Sequence, residues 1–378
     1  MKKVLVCLIL LALIMGLAAC AETSTPETVA ETGAAETTSE TATEEDTTET
    51  RTEDTTTEEE QEPATQEYET ETVEAISIYG ALHRIVYGDN VVYLFGSLHG
   101  GREGWYPLAD AVEDAMNRAD IFATEIGLVD MDEQVAAINA ASLLPDGQTW
   151  VDFLPTNAYE HAVAMAAAWD MEYTEINIIN PAVIVFMLEM EIALLLADDL
   201  ELGNTAGDIS VDGYVMDRAL ELGRPIIGLE TIEQQAQILY NPPFEVVVER
   251  VLNWLPPLEM VEAIENSDEA GLDELADMYE ANDYALFAEL NAVSLSLESQ
   301  ALSHEPLWVA YMREYVMNWR STYYAHEIAR LLQETQEPTT FFIVVGLSHI
   351  IRSMSGAEFT DIVEQLALLG IEAEPMWN

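Results

Sequence analysis

Two stretches from opposite ends of the folded part of the chain end alike. Val91–His99 reads VVYLFGSLH and Phe341–His349 reads FFIVVGLSH: an apolar run, then Gly, two residues and His. A strand that ends in glycine lets the chain turn with no side chain in the way. The histidine then stands just beyond the carboxyl end of its strand, where open α/β sheets place their ligands. Two such strands side by side would aim His99 and His349 into one crevice. Imidazole is the commonest neutral metal ligand and the natural acid–base group near neutral pH. Glu125 and Glu230 arrive in the same manner, directly after the apolar runs Ile121–Ala123 and Ile226–Leu229. Two histidines and a carboxylate at strand ends make a donor set for a divalent metal with positions open to water and substrate. Such an ion lowers the pKa of its bound water and polarises a carbonyl.

Other chemistries lack their marks. Neither Ser97 nor Ser348 sits in a Gly-x-Ser-x-Gly elbow, and no His-Glu-x-x-His or phosphate-cradling glycine loop occurs. His83, His161, His304 and His326 do not follow strand text and read as surface or structural residues.

The elements that must carry these residues are legible as periodicity. Ala75–Tyr87 alternates as a strand, Gly88-Asp89-Asn90 is a turn signal, and Val91–Phe95 reads as a buried strand. Helical spacing over Pro107–Ala119 followed by Ile121–Ala123 makes a strand–helix–strand unit, which predicts parallel strands. A helical middle follows: Asn157–Asp170, Pro181–Asp198, Val211–Leu222, Phe244–Trp254, Leu272–Tyr279, Tyr284–Leu297 and Trp308–Leu332. Glu189 and Glu191 interrupt the densely apolar Pro181–Asp198, which favours a buried helix over a membrane span. Thr340–Val345 is a strongly β-prone strand, with a helix expected over Ala357–Leu369 and a last strand over Ile371–Pro375. The expected fold is α/β: a mixed central sheet with strands from both ends of the domain, flanked by a large helical middle region.

Ahead of this domain (75–378) stand two other segments. Lys2 and Lys3, the apolar Val4–Leu17 and then Leu17-Ala18-Ala19-Cys20 read as a lipoprotein signal over residues 1–20. Cleavage before Cys20 would leave its thiol to carry lipid, which predicts an extracytoplasmic protein anchored to the cell membrane. Cys7 would leave with the signal, so no disulfide staples the domain. Residues 21–74 are rich in Thr and Glu and nearly devoid of large apolar side chains; such a segment cannot offset its ordering entropy, and reads as a disordered tether.

The chain holds 70 acidic and 13 basic residues, a net charge of −57. Seventeen of the acids lie in Ala21–Thr70, leaving 53 in residues 71–378 against ten arginines and no lysine there. So negative a surface excludes nucleic acid as a partner and disfavours docking on anionic lipid. It favours solubility at high salt, cationic partners or metal ions.

In order and spacing these segments resemble the TraB/GumN family, which includes plasmid pheromone-shutdown proteins and the Tiki proteases. The resemblance runs over nearly all of Ser77–Pro375. It rests on Gly96-Ser97-Leu98-His99, Ala109–Ala119, Thr124-Glu125-Ile126, Val211-Asp212, Ala219, Gly223-Arg224-Pro225, Gly228-Leu229-Glu230-Thr231, Gln234-Gln235 and Val345-Gly346-Leu347-Ser348-His349. Two departures stand out: Ser210, where the family usually has Gly, and Ser321, where Asn often follows the arginine here numbered Arg320. The resemblance implies a metal-dependent hydrolase, a peptidase acting near an amino terminus on a peptide or small-molecule substrate with manganese or cobalt. His99 and His349 would be ligands or acid–base groups, and Glu125 a ligand or general base. Arg320 would hold an oxyanion or a substrate carboxylate, and Glu230 would support the site. Related folds include erythromycin esterases and a haem-binding lipoprotein, so chemistry does not follow from fold. The alternative is a surface lipoprotein that binds peptide, metal or haem without turnover.

Overall fold

The four apolar runs that lead to His99, Glu125, Glu230 and His349 are four neighbouring parallel strands. The computed structural model describes residues 76–377, apart from 103, 197–200, 203–209, 266–271, 291–305 and 353–358. The signal (1–20) and the tether (21–74) fall outside the described residues. The described strands are β1 (His83–Tyr87), β2 (Asn90–Ser97), β3 (Gly100–Gly101), β4 (Ile121–Thr124), β5 (Glu201–Leu202), β6 (Ile226–Gly228), β7 (Thr340–Gly346) and β8 (Ala373–Pro375). Six form one sheet in the order β6-β4-β7-β2-β1-β8, and β3 pairs with β5. The sheet is mixed, as expected: β6, β4, β7 and β2 run parallel, while β1 is antiparallel to β2 and β8 to β1.

The strand–helix–strand unit is present, with its helix at Asp110–Arg118, but β2 and β4 are not neighbours. β7 lies between them, in parallel register with both. Its text explains this place. Phe341–Val345 are all buried, and a strand apolar on both faces belongs in the interior of a parallel sheet. Phe342 packs between Phe95 and Phe122, with ring centroids 5.7 and 5.5 Å away, so one aromatic row crosses three strands.

Gly96 serves a different purpose from the one its pattern implied. Its φ is not left-handed; what it permits is close approach. A Cβ there would lie 2.6 Å from Leu347 Cδ1 and 2.9 Å from Leu347 Cα. On its other side Gly96 N–H donates to Gly80 O at 2.7 Å. Gly80 has φ +52, and a Cβ on it would meet Phe95 Cε2 at 2.2 Å. This turn shortens the first strand, expected over Ala75–Tyr87, to His83–Tyr87.

The helical middle is observed at Thr156–Ala168, Pro181–Leu196, Val211–Glu221 and Phe244–Leu252; Val211–Glu221 packs on the core of the sheet, and the other three pack around a second core with Trp150, Tyr240 and Trp254. Met131–Ser142, Ile232–Tyr240 and Pro257–Glu265 are helices that apolar spacing does not announce. For two of these the caps are the readable signal: Asp130 accepts from Glu133 N–H and Thr231 from Gln234 N–H. The rod expected over Trp308–Leu332 spans Leu307–Glu334, with π-helical geometry over Met312–Trp319 immediately before Arg320. No helix among the described residues is long and apolar enough to cross a membrane.

Phe342→Ala removes the centre of the aromatic row. The expected cost is about 3–5 kcal/mol, read as a lower urea midpoint at unchanged slope. A loss well below 1 kcal/mol would mean that β7 does not anchor the sheet.

Candidate active site

The carboxyl ends of the four parallel strands are tied together by main chain before any side chain is considered. Leu347 N–H donates to Ser97 O at 2.9 Å, Leu229 N–H to Thr124 O at 2.9 Å, and Glu230 N–H to Glu125 O at 2.8 Å. These bonds bring the residues after β2, β7, β4 and β6 to one edge.

Glu125 and Glu230 meet there around one guanidinium. Arg320 opens the helix Arg320–Glu334, and its side chain is only 5% exposed. Its Nη2 donates to Glu125 Oε2 at 2.7 Å and to Glu230 Oε1 at 2.6 Å, and its Nε to Glu230 Oε1 at 3.1 Å. Gln235 Nε2 bridges the same two carboxylates at 3.1 Å each, and Tyr324 OH donates to Glu230 Oε1 at 2.6 Å. Arg320 Nη2 also contacts Tyr324 OH. Burial is the largest influence on Glu125 and would raise its pKa, but the Arg320 charge together with the histidines and the Gly346 amide (2.9 Å from Oε1) outweighs it and brings the group down to about 2. Glu125 is therefore ionised. Glu230 Oε2 is buried and has no hydrogen-bond partner among the described residues.

The two histidines face opposite environments. His349, on the short helix Ser348–Ile351, is buried, with Tyr324 edge-on at 5.3 Å. Desolvation first, and then the Arg320 charge, push its pKa down to about 3, so the imidazole is neutral. Its Nδ1 is 2.8 Å from Ser321 Oγ. His99 has 62% of its side chain exposed, and its Nδ1 is 2.8 Å from Asp212 Oδ2. The Asp212 charge outweighs desolvation and raises its pKa to about 9. Solvent around so exposed a ring screens this pairing in part. Glu125 raises His99, and His99 in turn lowers His349, which puts the three within electrostatic reach of one another.

All five residues singled out from sequence thus lie at one edge. Glu125, Glu230 and Arg320 touch directly, and Gly346 in the His349 loop donates to Glu125. No bond joins His99 to the other four. Arg320 is committed to the protein's own carboxylates, which differs from the oxyanion or substrate-carboxylate role expected of it. Asp212, Gln235, Ser321 and Tyr324 carry no strand-end signature. Tyr324 could have been found from its place one turn after Arg320, on the same helical face. The departures have local accounts too. Ser210 is the N-cap of Val211–Glu221, its Oγ accepting from Gly213 N–H at 3.0 Å, and Ser321 holds His349.

Among the described residues no three His, Cys, Asp or Glu side chains close on one point in a way that could hold a metal. In kind, however, the donors suit a divalent ion: both imidazoles are held through Nδ1, leaving Nε2, and Glu125 is ionised.

A profile of the TraB/PrgY/gumN family matches residues 81–357. The chain belongs to the TraB/PrgY/gumN family. The matched span takes in all four strand ends and Arg320. No curated protein and no solved structure matches the chain.

The His349 environment sets a pH dependence. A histidine whose pKa is about 3 when folded and ordinary when unfolded binds fewer protons in the folded state between those values, so stability falls as pH drops through that window. Glu125, depressed to about 2, acts in the same direction below the ordinary carboxylate pKa. The stability gap between wild type and His349→Gln should therefore rise with pH from about 3 to 6.5, by up to about 1.4 kcal/mol per pH unit, and level off above. Denaturant midpoints across this range measure it; a flat gap would show that His349 protonates normally.

Proposed function

We propose that this protein is a surface-anchored, metal-dependent hydrolase, a peptidase of the TraB/PrgY/gumN family. The observation that carries the reading is the convergence of an ionised carboxylate and two oppositely tuned imidazoles at the carboxyl edge of four parallel strands. Glu125, ionised, and His349, neutral, are in the states that accept a proton from attacking water. His99, held protonated beside Asp212, is in the state that gives one to a leaving amine. Arg320, gripped by Glu230 and Tyr324, holds Glu125 in place and keeps it charged, with Gln235 bridging the two carboxylates. In place of these proton-transfer roles, His99 (with its Nε2 proton displaced) and His349, through Nε2, and Glu125 would hold a divalent ion such as manganese or cobalt. When bound, that ion would polarise the scissile carbonyl and acidify its water. The strongly negative surface favours cationic peptides over anionic substrates.

Peptides with free amino termini, incubated with the full chain and added manganese or cobalt, should be cleaved. His349→Ala and Glu125→Gln should each lower turnover by at least about 10²-fold, and a chelator should abolish it. Absence of turnover with every metal, while a peptide, metal or haem still binds, would instead favour the capture protein.

The anchor belongs to the same proposal. Metabolic labelling with a radioactive fatty acid should mark the wild type and not Cys20→Ser, which should be released from membranes. Equal labelling of both would remove the lipid from the account.

A further inference from the structure

Asp212, unlike Glu125 and Glu230, bonds His99 rather than Arg320. It sits in the first turn of Val211–Glu221, where the helix dipole favours negative charge, and its side chain is 17% exposed. Each of its oxygens has one partner. Oδ2 meets His99 Nδ1 at 2.8 Å, and Oδ1 accepts from the Ser97 hydroxyl, which also lies 3.3 Å from Val345 O. Ser97 is the last residue of β2 and pairs with Gly346 of β7, so Asp212 is braced against the two strands that carry the histidines.

Chemistry decides the direction of the histidine bond. A carboxylate only accepts, so Nδ1 must carry the proton. Nε2, which bonds no group among the described residues, is then the atom turned outward on an exposed ring. His349 has no such constraint, since the Ser321 hydroxyl can donate or accept and leaves either tautomer open.

We propose that Asp212, braced by Ser97, is the positioning residue of the site: it fixes His99 with Nδ1–H inward and presents Nε2 as the atom offered to ligand or substrate. The functional consequence rests on the hydrolase reading above, while the orientation itself does not. A histidine without this partner samples both tautomers and more than one rotamer, so its Nε2 lone pair is offered only part of the time. Partners of this kind typically control about 10–100-fold in metal affinity or activity.

The test has two independent readouts. In the full chain labelled with 15N-histidine, long-range proton–nitrogen spectra above pH 10, where His99 has lost its second proton, report which ring nitrogen keeps the first. The wild type should show His99 protonated at Nδ1. Asp212→Asn, whose amide oxygen can still accept that proton, should keep this form, and Asp212→Ala should lose it. With cobalt as probe, Asp212→Ala should bind about 10–100-fold more weakly than wild type, with Asp212→Asn between. A wild-type His99 protonated at Nε2 overturns the proposal, and does so even if Asp212→Ala fails to fold. So does a folded Asp212→Ala with unchanged tautomer and unchanged cobalt affinity. If the wild type neither binds cobalt nor cleaves peptide, the hydrolase reading fails while the spectra still decide the orientation.

Discussion

The arrangement depends on one buried cation shared by two carboxylates. Glu125 and Glu230 leave adjacent parallel strands and would repel each other at the sheet edge, the second with no solvent exposure of its side chain. Arg320 comes from far along the chain and lies between them. A carboxylate buried in this setting, stripped of water, is tolerable only with such a partner, because the uncompensated cost is several kcal/mol per ion. Gln235 and Tyr324 add further hydrogen bonds to the pair, and both sit on helices packed over the strand ends. The consequence reaches β7, since the Gly346 amide donates to the carboxylate that Arg320 holds.

The same guanidinium divides the histidines. His349 is close to Arg320 and buried, so it loses the contest for a proton. His99 stands farther out beside Asp212 and keeps one. Identical side chains in identical local sequence patterns are thereby given opposite protonation states by their surroundings alone. Acid–base chemistry at a single pH calls for that kind of separation.

Some of this was readable in the residues. Apolar runs leading to Gly96, Glu125, Glu230 and Gly346 announce four strand ends, and a central parallel strand has little choice but to look like Phe341–Val345. The helices with a clear apolar stripe were placed well; Met131–Ser142 and Ile232–Tyr240 escaped because their caps, more than their periodicity, define them. The site was half legible. His99, Glu125, Glu230 and His349 follow strands and share a signature, whereas Asp212 and Ser321 lie on helices and are defined only by what they face.

By itself the sequence determined an acidic domain built on a mixed sheet, with four polar side chains waiting at strand ends. It carried that information because burial and strand periodicity are local properties, written in consecutive residues. The tertiary structure alone decided that β7 enters between β2 and β4, that Arg320 joins Glu125 to Glu230, and that Asp212 takes His99 while Ser321 takes His349. Those are contacts between residues some 28 to 195 positions apart. No local rule reaches so far: such pairs are chosen by which side chains the folded backbone happens to bring within hydrogen-bond distance.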